Sequence, residues 1–215
     1  MKTITTIVII ATVAIFCAAA FAFAADIDAG VTGKINHDSH SQGQSGMCYF
    51  SAFPRNVEEF KAMQAKVATE PQGAVAMILV AMKLYGDNEA EGKKCLELSL
   101  LKLYWPDLQR IKDKVRASAG DTYGQKFLPL AFLKGATPEN GYAPSEPYTV
   151  EVSVNNGRPY SKLSSANAPV IYLNIKTNGT DSGTRPIEVI RPSGAKYFVV
   201  NNTAGITSQV KFPIK

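Results

Sequence analysis

The sequence predicts an α+β fold, in which about four N-terminal helices pack on a C-terminal antiparallel sheet of four to five strands. Helical periodicity and helix-capping signals are confined to residues 53–134, whereas the period-two alternation of half-buried strands dominates residues 145–215. Helices that come first and strands that come second are typical of an α+β protein and not of an α/β protein. The two halves together have the length of one domain.

The first 24 residues predict a secretory signal peptide. Lys2 is followed by an uncharged apolar run from Ile4 to Phe23, and a small-x-small sequence closes this run at Ala24. We therefore expect cleavage after Ala24 and a periplasmic or secreted protein. The alternative is an uncleaved anchor, because the run is long enough to span a bilayer. In that case this segment would be the only contact with a membrane that we expect.

Residues 25–52 are predicted to form a flexible polar leader. The first part of this segment is rich in Gly, Ser, Gln and Asp and has neither a helical nor a strand period. We therefore place a single α+β domain at residues 53–215, with its helical half over residues 53–134 and its β half over residues 145–215.

The first two predicted helices have clear start signals. Asn56 can cap the first helix, with Glu59 completing a pair that resembles a capping box. The second helix starts at Pro71, a residue that suits the first turn of a helix. It is apolar almost all round as far as Tyr85. A helix without a polar face is predicted to be central to the core.

Two further helices and a short or broken helix complete the helical half, and a loop follows it. A third helix is predicted from about Glu89 to Leu101, and a fourth starts at Pro106. The apolar stretch Lys126 to Lys134 contains a proline, which favours a short or broken helix. Residues 135–144 combine Gly, Pro and Asn-Gly, which is typical of a structured loop.

The predicted strands follow this loop. Tyr148 to Val154 alternates apolar and polar residues, and Val170 to Ile175 repeats the pattern. Ile187 to Arg191 and Lys196 to Asn201 flank a Pro-Ser-Gly-Ala turn and predict a hairpin. A short last strand is expected over residues 210–214. We expect the sheet to be antiparallel, with the helices on one face.

Charge and cofactor patterns exclude several functions. The net charge of +5 is mild, and no dense cluster of Lys and Arg is present, so we expect no nucleic-acid partner. The phosphate-loop and dinucleotide-binding patterns are absent, and no cofactor is expected. The only histidines, His37 and His40, could hold Zn²⁺ or Cu²⁺, but both fall in the predicted leader. We therefore expect no metal centre.

Two cysteines, Cys48 and Cys95, remain after the predicted cleavage. An even number of cysteines in an oxidising compartment indicates one disulfide between them. The alternative is a pair of buried thiols. No CxxC motif is present, so a thiol-redox role is not expected.

Three stretches resemble an uncharacterised family of exported bacterial proteins, known as a domain of unknown function. They are Glu70 to Tyr85 with its GAVA sequence, Phe132 to Tyr142 with GATPENGY, and Asp181 to Ile187 with DSGTRPI. The similarity extends over roughly residues 53–213. Members of the family tend to carry a tryptophan in the last hairpin, where this chain has Tyr197 or Phe198. The resemblance implies a bacterial, single-domain envelope or secreted protein, and it implies no activity.

Two of these motifs contain the candidate catalytic residues. Glu139 and Asp181 form a candidate pair of carboxylates, with Arg185 beside Asp181. Two carboxylates across a cleft can hydrolyse a glycoside without a histidine. The other interpretation is structural, with Asp181 and Arg185 fixing a turn.

The candidate binding residues Thr137, Asn140 and Tyr142 lie in the same loop as Glu139. They either contact a ligand or shape the loop against the sheet. We therefore expect an exported, non-enzymatic binding or accessory module of the cell envelope, whose partner is an envelope component or another protein. The alternative is a histidine-independent hydrolase that acts on an envelope polymer or glycan.

Overall fold

The computed structural model describes residues 26–37, 42–102, 105–115, 125–158 and 161–214. Within these residues the chain forms two strands, then four helices, then five further strands. The bounds are β1 (Ala29–Gly33), β2 (Ser45–Phe50), α1 (Val57–Val67), α2 (Pro71–Asp87), α3 (Glu89–Ser99), α4 (Trp105–Val115), β3 (Tyr148–Val154), β4 (Ser161–Leu163), β5 (Ala168–Lys176), β6 (Thr184–Ile190) and β7 (Val199–Asn202).

The strands form one antiparallel sheet in the order β1-β2-β3-β5-β6-β7. The start of β5 pairs with β4, and the end of β5 pairs with β3. Between these two pairings the Asn155 amide donates to the Tyr172 carbonyl, so β4 continues the line of β3 along the same edge of β5. The described sheet therefore has seven strands in six positions, and the predicted number of four to five strands is wrong.

The predicted placement of the helices is also wrong. The four helices lie in the middle of the chain, between β2 and β3, and not before all of the strands. β1 and β2 fall within residues 25–52, the segment predicted as a flexible leader, and over these strands the chain is part of the sheet. The fold is α+β overall, with the order of its elements corrected.

β2 shows why these strands are hard to predict. Its inward residues are Gly46, Cys48 and Phe50, so the period-two pattern is present but two of the three side chains are small. β2 pairs with β3 over its whole length, from Ser45 opposite Ser153 to Phe50 opposite Tyr148. Pairing with a distant strand therefore outweighs a weak local preference for β structure.

α2 is the central element of the core, as its apolar composition predicts. Every residue from Pro71 to Met82 is buried. The helix packs against the helices α1, α3 and α4 and against the strands β1, β2, β3, β6 and β7. The approach of α1 requires a glycine at position 73, because a Cβ there would lie 1.9 Å from the Val67 carbonyl oxygen.

The predicted helix starts are confirmed. Asn56 Oδ1 accepts a hydrogen bond from the Glu59 amide at 2.9 Å, and Pro71 occupies the first turn of α2. The Glu59 carboxylate accepts from the Arg55 amide at 2.8 Å and pairs with the Arg55 guanidinium at 2.6 Å. α3 and α4 begin within one residue of the predicted positions, at Glu89 and Trp105.

The β half follows the predictions in part. The strand at Tyr148–Val154 is confirmed, with its alternate valines buried, and β6 and β7 form the predicted hairpin. The predicted short strand over residues 210–214 is wrong. The backbone of this segment bonds to side chains and loops instead of a strand, as when Val210 N donates to Gln125 Oε1 at 2.9 Å. The short or broken helix predicted between Lys126 and Lys134 is present as a short 3-10 helix at Leu130–Phe132.

Cys48 on β2 and Cys95 on α3 are both buried free thiols, so the predicted disulfide is not formed between them. Burial raises the pKa of each thiol to about 12. A thiol with so high a pKa is a poor nucleophile, because the thiolate is the reactive form. Both cysteines therefore act as small apolar residues of the core.

No helix of the described residues is both long enough and apolar enough to cross a membrane. The predicted signal peptide, residues 1–24, lies outside the described residues. Its cleavage stays a prediction.

Candidate functional site: the open face of the sheet

The candidate binding loop is held together by its own polar side chains. Thr137 and Asn140 form a reciprocal capping box around a 3-10 turn, with Asn140 N donating to Thr137 Oγ1 and Thr137 N donating to Asn140 Oδ1. The Asn140 side-chain amide also donates to the carbonyl groups of Gly135 and Ala143. These two side chains therefore shape the loop.

Tyr142 anchors the same loop to the C-terminal segment, residues 209–214. Its side chain is fully buried, its ring stacks on Phe127 at 4.9 Å, and its hydroxyl donates to the Lys211 carbonyl at 2.6 Å. The backbone of Tyr142 has a φ of 61°, a left-handed conformation that costs energy in a bulky residue. Tertiary contacts of the ring and hydroxyl stabilise this conformation.

Two of the three candidate catalytic residues contact the C-terminal segment. Asp181 pairs with Lys211 Nζ at 2.5 Å, and the Arg185 guanidinium donates to the Gln209 carbonyl at 3.1 Å. Glu139 forms no ion pair among the described residues, and the charge of Lys211 makes only the last of several contributions to its lowered pKa. The structure therefore does not bring the three side chains together around one shared contact.

Both candidate carboxylates are stabilised in the ionised form. A hydrogen bond from Lys211 lowers the pKa of Asp181. A hydrogen bond from its own backbone amide, and then one from Thr137, lowers the pKa of Glu139. A general acid for glycoside hydrolysis needs a raised pKa, so the surroundings of these two groups oppose that role.

A different surface collects polar side chains on rigid strands. On β3 and β5 the residues Val150, Val152, Leu173 and Ile175 are buried on the side of the helices. Successive side chains of a strand point to opposite faces, so the intervening residues lie on the other face of the sheet. We call this surface the open face. It carries Met47, Glu151, Ser153, Tyr172, Asn174, Lys176 and Glu188.

Strand register makes these residues a continuous row. Met47 lies opposite Glu151, Ser153 opposite Asn174, and Tyr172 opposite Glu188. The row continues onto β7, where a β-bulge places Asn202 opposite Glu188, and the side-chain amides of Asn201 and Asn202 both donate to the Glu188 carboxylate. The open face therefore runs from β2 to β7.

One end of the open face contains a cleft of about 380 Å³, which we call the Glu151 cleft. Glu151 Oε2 lies 2.7 Å from Lys176 Nζ, and its other oxygen lies 3.4 Å from Lys134 Nζ. The hydrogen bond from Lys176 lowers the pKa of Glu151, and Lys134 adds to the effect. Thr32, Met47 and other strand residues complete the lining.

The other end contains a smaller cleft of about 120 Å³, which we call the Glu188 cleft. The Glu188 carboxylate accepts from the Asn201 side-chain amide at 3.0 Å and lies 3.9 Å from the Arg158 guanidinium. The same guanidinium lies 5.3 Å from the centre of the Tyr172 ring, and the Tyr172 hydroxyl is 2.7 Å from Ser161 Oγ. Hydrogen bonds and ion pairs therefore fix the groups of this cleft in place.

His37 is part of the fold and not of a leader. Its Nε2 lies 2.7 Å from Glu70 Oε2, and its ring meets Phe198 edge-on at 5.1 Å. His40, the other candidate metal ligand, lies outside the described residues. No group of three or more His, Cys, Asp or Glu side chains in the described part of the chain is arranged to hold a metal ion.

The fold and its open face define an α+β protein in which helices cover one face of the sheet, while the other face carries a row of polar residues and, at the β4 end, a small buried cluster around Val170 and Ile190. The chain belongs to the family described as a domain of unknown function, DUF6935, whose family model matches residues 52–214. The expected similarity to an uncharacterised family is confirmed at this level. Searches of curated proteins and of solved structures gave no match. Function must therefore be inferred from the geometry of this chain.

Sequence reasoning missed the open face as a site, although part of its signal was present. The alternation in β3 already places Glu151 and Ser153 on the side opposite the valines. The meeting of Tyr172 with Glu188 depends on the register of β5 and β6, which no local pattern gives. The distinctive loop residues attracted the functional hypothesis, while ordinary strand residues form the better surface.

Proposed function

We propose that this protein is an exported binding module that holds a hydroxyl-rich ligand, a glycan of the cell envelope, on the open face. It binds this ligand without catalysing a reaction on it. One observation carries the proposal: amide, hydroxyl and carboxylate groups form a continuous row across the strands, on the face opposite the helices. Groups on strands are positioned more accurately than groups on loops, so this row is suited to binding.

The charge balance of the open face favours a neutral ligand. Glu151 is compensated by Lys176 and Lys134, and Glu188 by Arg158 and two asparagine amides. A polyhydroxylated ligand both donates and accepts hydrogen bonds and brings no net charge, so it can bond to such a surface without leaving an ion unpaired. The exposed Met47 and the ring of Tyr172 supply apolar area for its C–H groups.

The size of the larger cleft agrees with this proposal. Small-molecule sites commonly have volumes of about 300–1,000 Å³. The Glu151 cleft, at about 380 Å³, lies within that range, and the Glu188 cleft lies further along the same face. A ligand longer than one sugar unit would reach from one cleft towards the other.

The alternative of a histidine-independent hydrolase has less support. Its proposed carboxylates, Glu139 and Asp181, both have lowered pKa values, and Asp181 is paired with Lys211. Glu151, on the open face, also has a lowered pKa. An ionised carboxylate is a good hydrogen-bond acceptor but a poor general acid, which favours binding over hydrolysis.

Ligand binding is tested with the purified protein and a panel of neutral oligosaccharides and cell-wall polysaccharides, by sedimentation and by isothermal titration calorimetry. Glu151→Gln and Glu188→Gln keep the shape of each side chain and remove its charge. We expect each to weaken binding by about tenfold, because a hydrogen bond to a charged group is lost. The matched control is Glu97→Gln, at an exposed position of α3 outside the open face.

Two results would contradict the proposed function. The first is equal affinity in the wild-type protein and in both open-face variants. The second is the release of new reducing ends from a bound polysaccharide, which would show turnover.

Export is tested separately, by fractionating cells and sequencing the N-terminus of the protein. We expect the mature chain to begin at Ala25, outside the cytoplasm, because the small-x-small sequence precedes this residue. An intact N-terminus in the cytoplasmic fraction would disprove export and would leave the binding experiment unaffected.

A further inference from the structure

Two cavities adjoin near the turn between β6 and β7, and Ala195 lines both of them. The first, which we call the head pocket, has a volume of about 350 Å³, and its polar lining includes His37, Asn167, Arg191 and Ser193. The second, which we call the groove, has a volume of about 430 Å³ and is lined by residues of α1, α3 and β7 and of the turn.

Packing fixes the walls of the head pocket. Phe198 is only 2 % exposed, and the Arg191 guanidinium lies 5.0 Å from the centre of its ring. The His37 ring meets the same phenylalanine edge-on. Because a carboxylate can only accept, the His37 Nε2 proton is directed to Glu70, 2.7 Å away. The site is therefore organised before any ligand enters it.

The charged side chains that line the two cavities are all cationic, and the nearby Glu70 carboxylate is already hydrogen-bonded to His37. Arg191 lines the head pocket, and Lys61 and Lys196 line the groove, whereas no Asp or Glu of the described residues lines either cavity. Arg191 forms no ion pair with a carboxylate in the part of the chain that the structure describes. A group of cations without a carboxylate favours a negatively charged ligand.

The groove adds apolar surface to this positive site. Its floor consists of Leu98, Tyr197 and Val199, which are only partly buried. Apolar area that stays accessible at the surface is typical of a binding site. Since Ala195 is common to both cavities, the apolar groove begins where the polar head pocket ends.

We propose that the head pocket and the groove together bind one anionic amphiphile, a long-chain carboxylate. The head group pairs with the Arg191 guanidinium, whose forked donors match a carboxylate. Ser193 and Asn167 offer further hydrogen bonds, and the chain lies along the groove. This site differs from the open face, where each described carboxylate is compensated, and it does not depend on the proposed glycan ligand.

The proposal predicts how affinity depends on the chain and on the charge of the probe. Calorimetric titrations use butanoate, octanoate, decanoate and dodecanoate below their micellar concentrations. We expect affinity to rise by about fourfold for each methylene that becomes buried in the groove. Dodecyltrimethylammonium has a similar chain and the opposite charge, and dodecyldimethylamine oxide has a head group without net charge at neutral pH and without a sugar. We expect both to bind at least tenfold more weakly than dodecanoate.

Two variants separate the contributions of the head pocket and of the groove. Arg191→Gln should weaken dodecanoate binding by about tenfold or more, because a charge-assisted hydrogen bond is lost. Val199→Asp should weaken it further and abolish the dependence on chain length. The control is Lys162→Gln, an exposed cation on β4 that lines neither cavity. Circular dichroism melting curves establish that each variant is folded.

Three outcomes would overturn the proposal. Equal affinity for dodecanoate and dodecyltrimethylammonium would show that the charge of the head group does not matter. Equal affinity for butanoate and dodecanoate would show that the groove does not bind the chain. Unchanged affinity in a folded Arg191→Gln variant would place the amphiphile elsewhere. If the wild-type protein binds a glycan but no amphiphile, the head-pocket proposal fails and the open-face proposal stands.

Discussion

The open face and the head pocket differ in how their charged side chains are paired. On the open face, Glu151 lies 2.7 Å from Lys176, and Glu188 accepts a hydrogen bond from Asn201 at 3.0 Å. In the head pocket, Arg191 lies over the Phe198 ring and pairs with no carboxylate of the described residues. A compensated surface is stable alone and suits a neutral ligand, whereas an uncompensated cation is stabilised further when an anion arrives.

The largest expected effect comes from breaking the end of the open face. In Gly205→Ala the new Cβ would lie 1.9 Å from the Pro186 carbonyl oxygen, so the loop after β7 must move away from the Glu188 cleft. We expect the free energy of unfolding to fall by about 1–3 kcal/mol, as in other overpacked variants. Urea unfolding measures this loss.

The control for this variant is Gly157→Ala, at another glycine near the Glu188 cleft. Its Cβ would lie 3.4 Å from Asn155 Oδ1, an ordinary contact distance. We expect a change within about 0.5 kcal/mol, as for most surface substitutions. Equal stabilities of the two variants would show that the loop is not held against Pro186.

The second prediction concerns the loop around Tyr142, whose polar groups stabilise the fold and, unlike those of the open face, are not proposed to bind a ligand. Tyr142→Phe removes the hydrogen bond to the Lys211 carbonyl, and we expect a loss of about 1 kcal/mol in the free energy of unfolding. Tyr49→Phe is the matched control, since the Tyr49 hydroxyl has no hydrogen-bond partner among the described residues. An effect of similar size in both variants would show that the Tyr142 hydroxyl does not anchor the C-terminal segment.

Local signals explain which parts of the fold the sequence predicts. Asn56 caps α1 and Pro71 starts α2 within a few residues of chain, so both are visible in the sequence. β1 and β2 form because β2 pairs with β3, about 100 residues later, and no local pattern reveals that pairing. His37 enters the fold for a similar reason, through Glu70 and Phe198.

The candidate site depends even more on distant contacts. The loop from Thr137 to Tyr142 is conspicuous in sequence because its turn residues are unusual, and such residues often mark a conformation instead of a chemical function. Lys211, the partner of Asp181, follows it by thirty residues and has no motif of its own. The open face becomes a site only when the strand register is known.

The third prediction measures how strongly the open face is compensated. A double-mutant cycle with Glu151→Gln and Lys176→Met should give a coupling free energy below about 1 kcal/mol, because Lys176 is largely exposed and its interaction is screened by solvent. A coupling near zero at high salt and low pH serves as the internal control. A coupling well above this range would show a desolvated pair that no neutral ligand could easily separate.

The pH dependence of this pair follows from the lowered pKa of Glu151. The folded protein binds the proton less readily than the unfolded chain, so the contribution of Glu151 to stability is fully present above the pKa of an unfolded glutamate. It is lost as the pH falls through the lower folded-state value. Glu151→Gln should therefore reduce the fall in stability over this acidic range, and an identical pH profile in the variant would contradict the pairing.

The smallest expected effect lies in the head pocket. Arg191→Gln loses the contact of the guanidinium with the Phe198 ring, which is worth about 0.5–1 kcal/mol. We expect the free energy of unfolding in the absence of ligand to fall by about 0.5 kcal/mol, the lower end of this range, because the site is accessible to solvent.

Arg55→Gln is the matched comparison, because Arg55 pairs at 2.6 Å with Glu59, whose side chain is only 2 % exposed. Removing this partner weakens the compensation of a buried carboxylate, so we expect a larger loss of stability than in Arg191→Gln. Removing a cation that stabilises the fold lowers the stability of the unliganded protein, whereas removing a cation that binds a ligand leaves this stability nearly unchanged. If Arg191→Gln destabilised the fold as much as Arg55→Gln, Arg191 would be a structural cation, and the contrast between the head pocket and the open face would disappear.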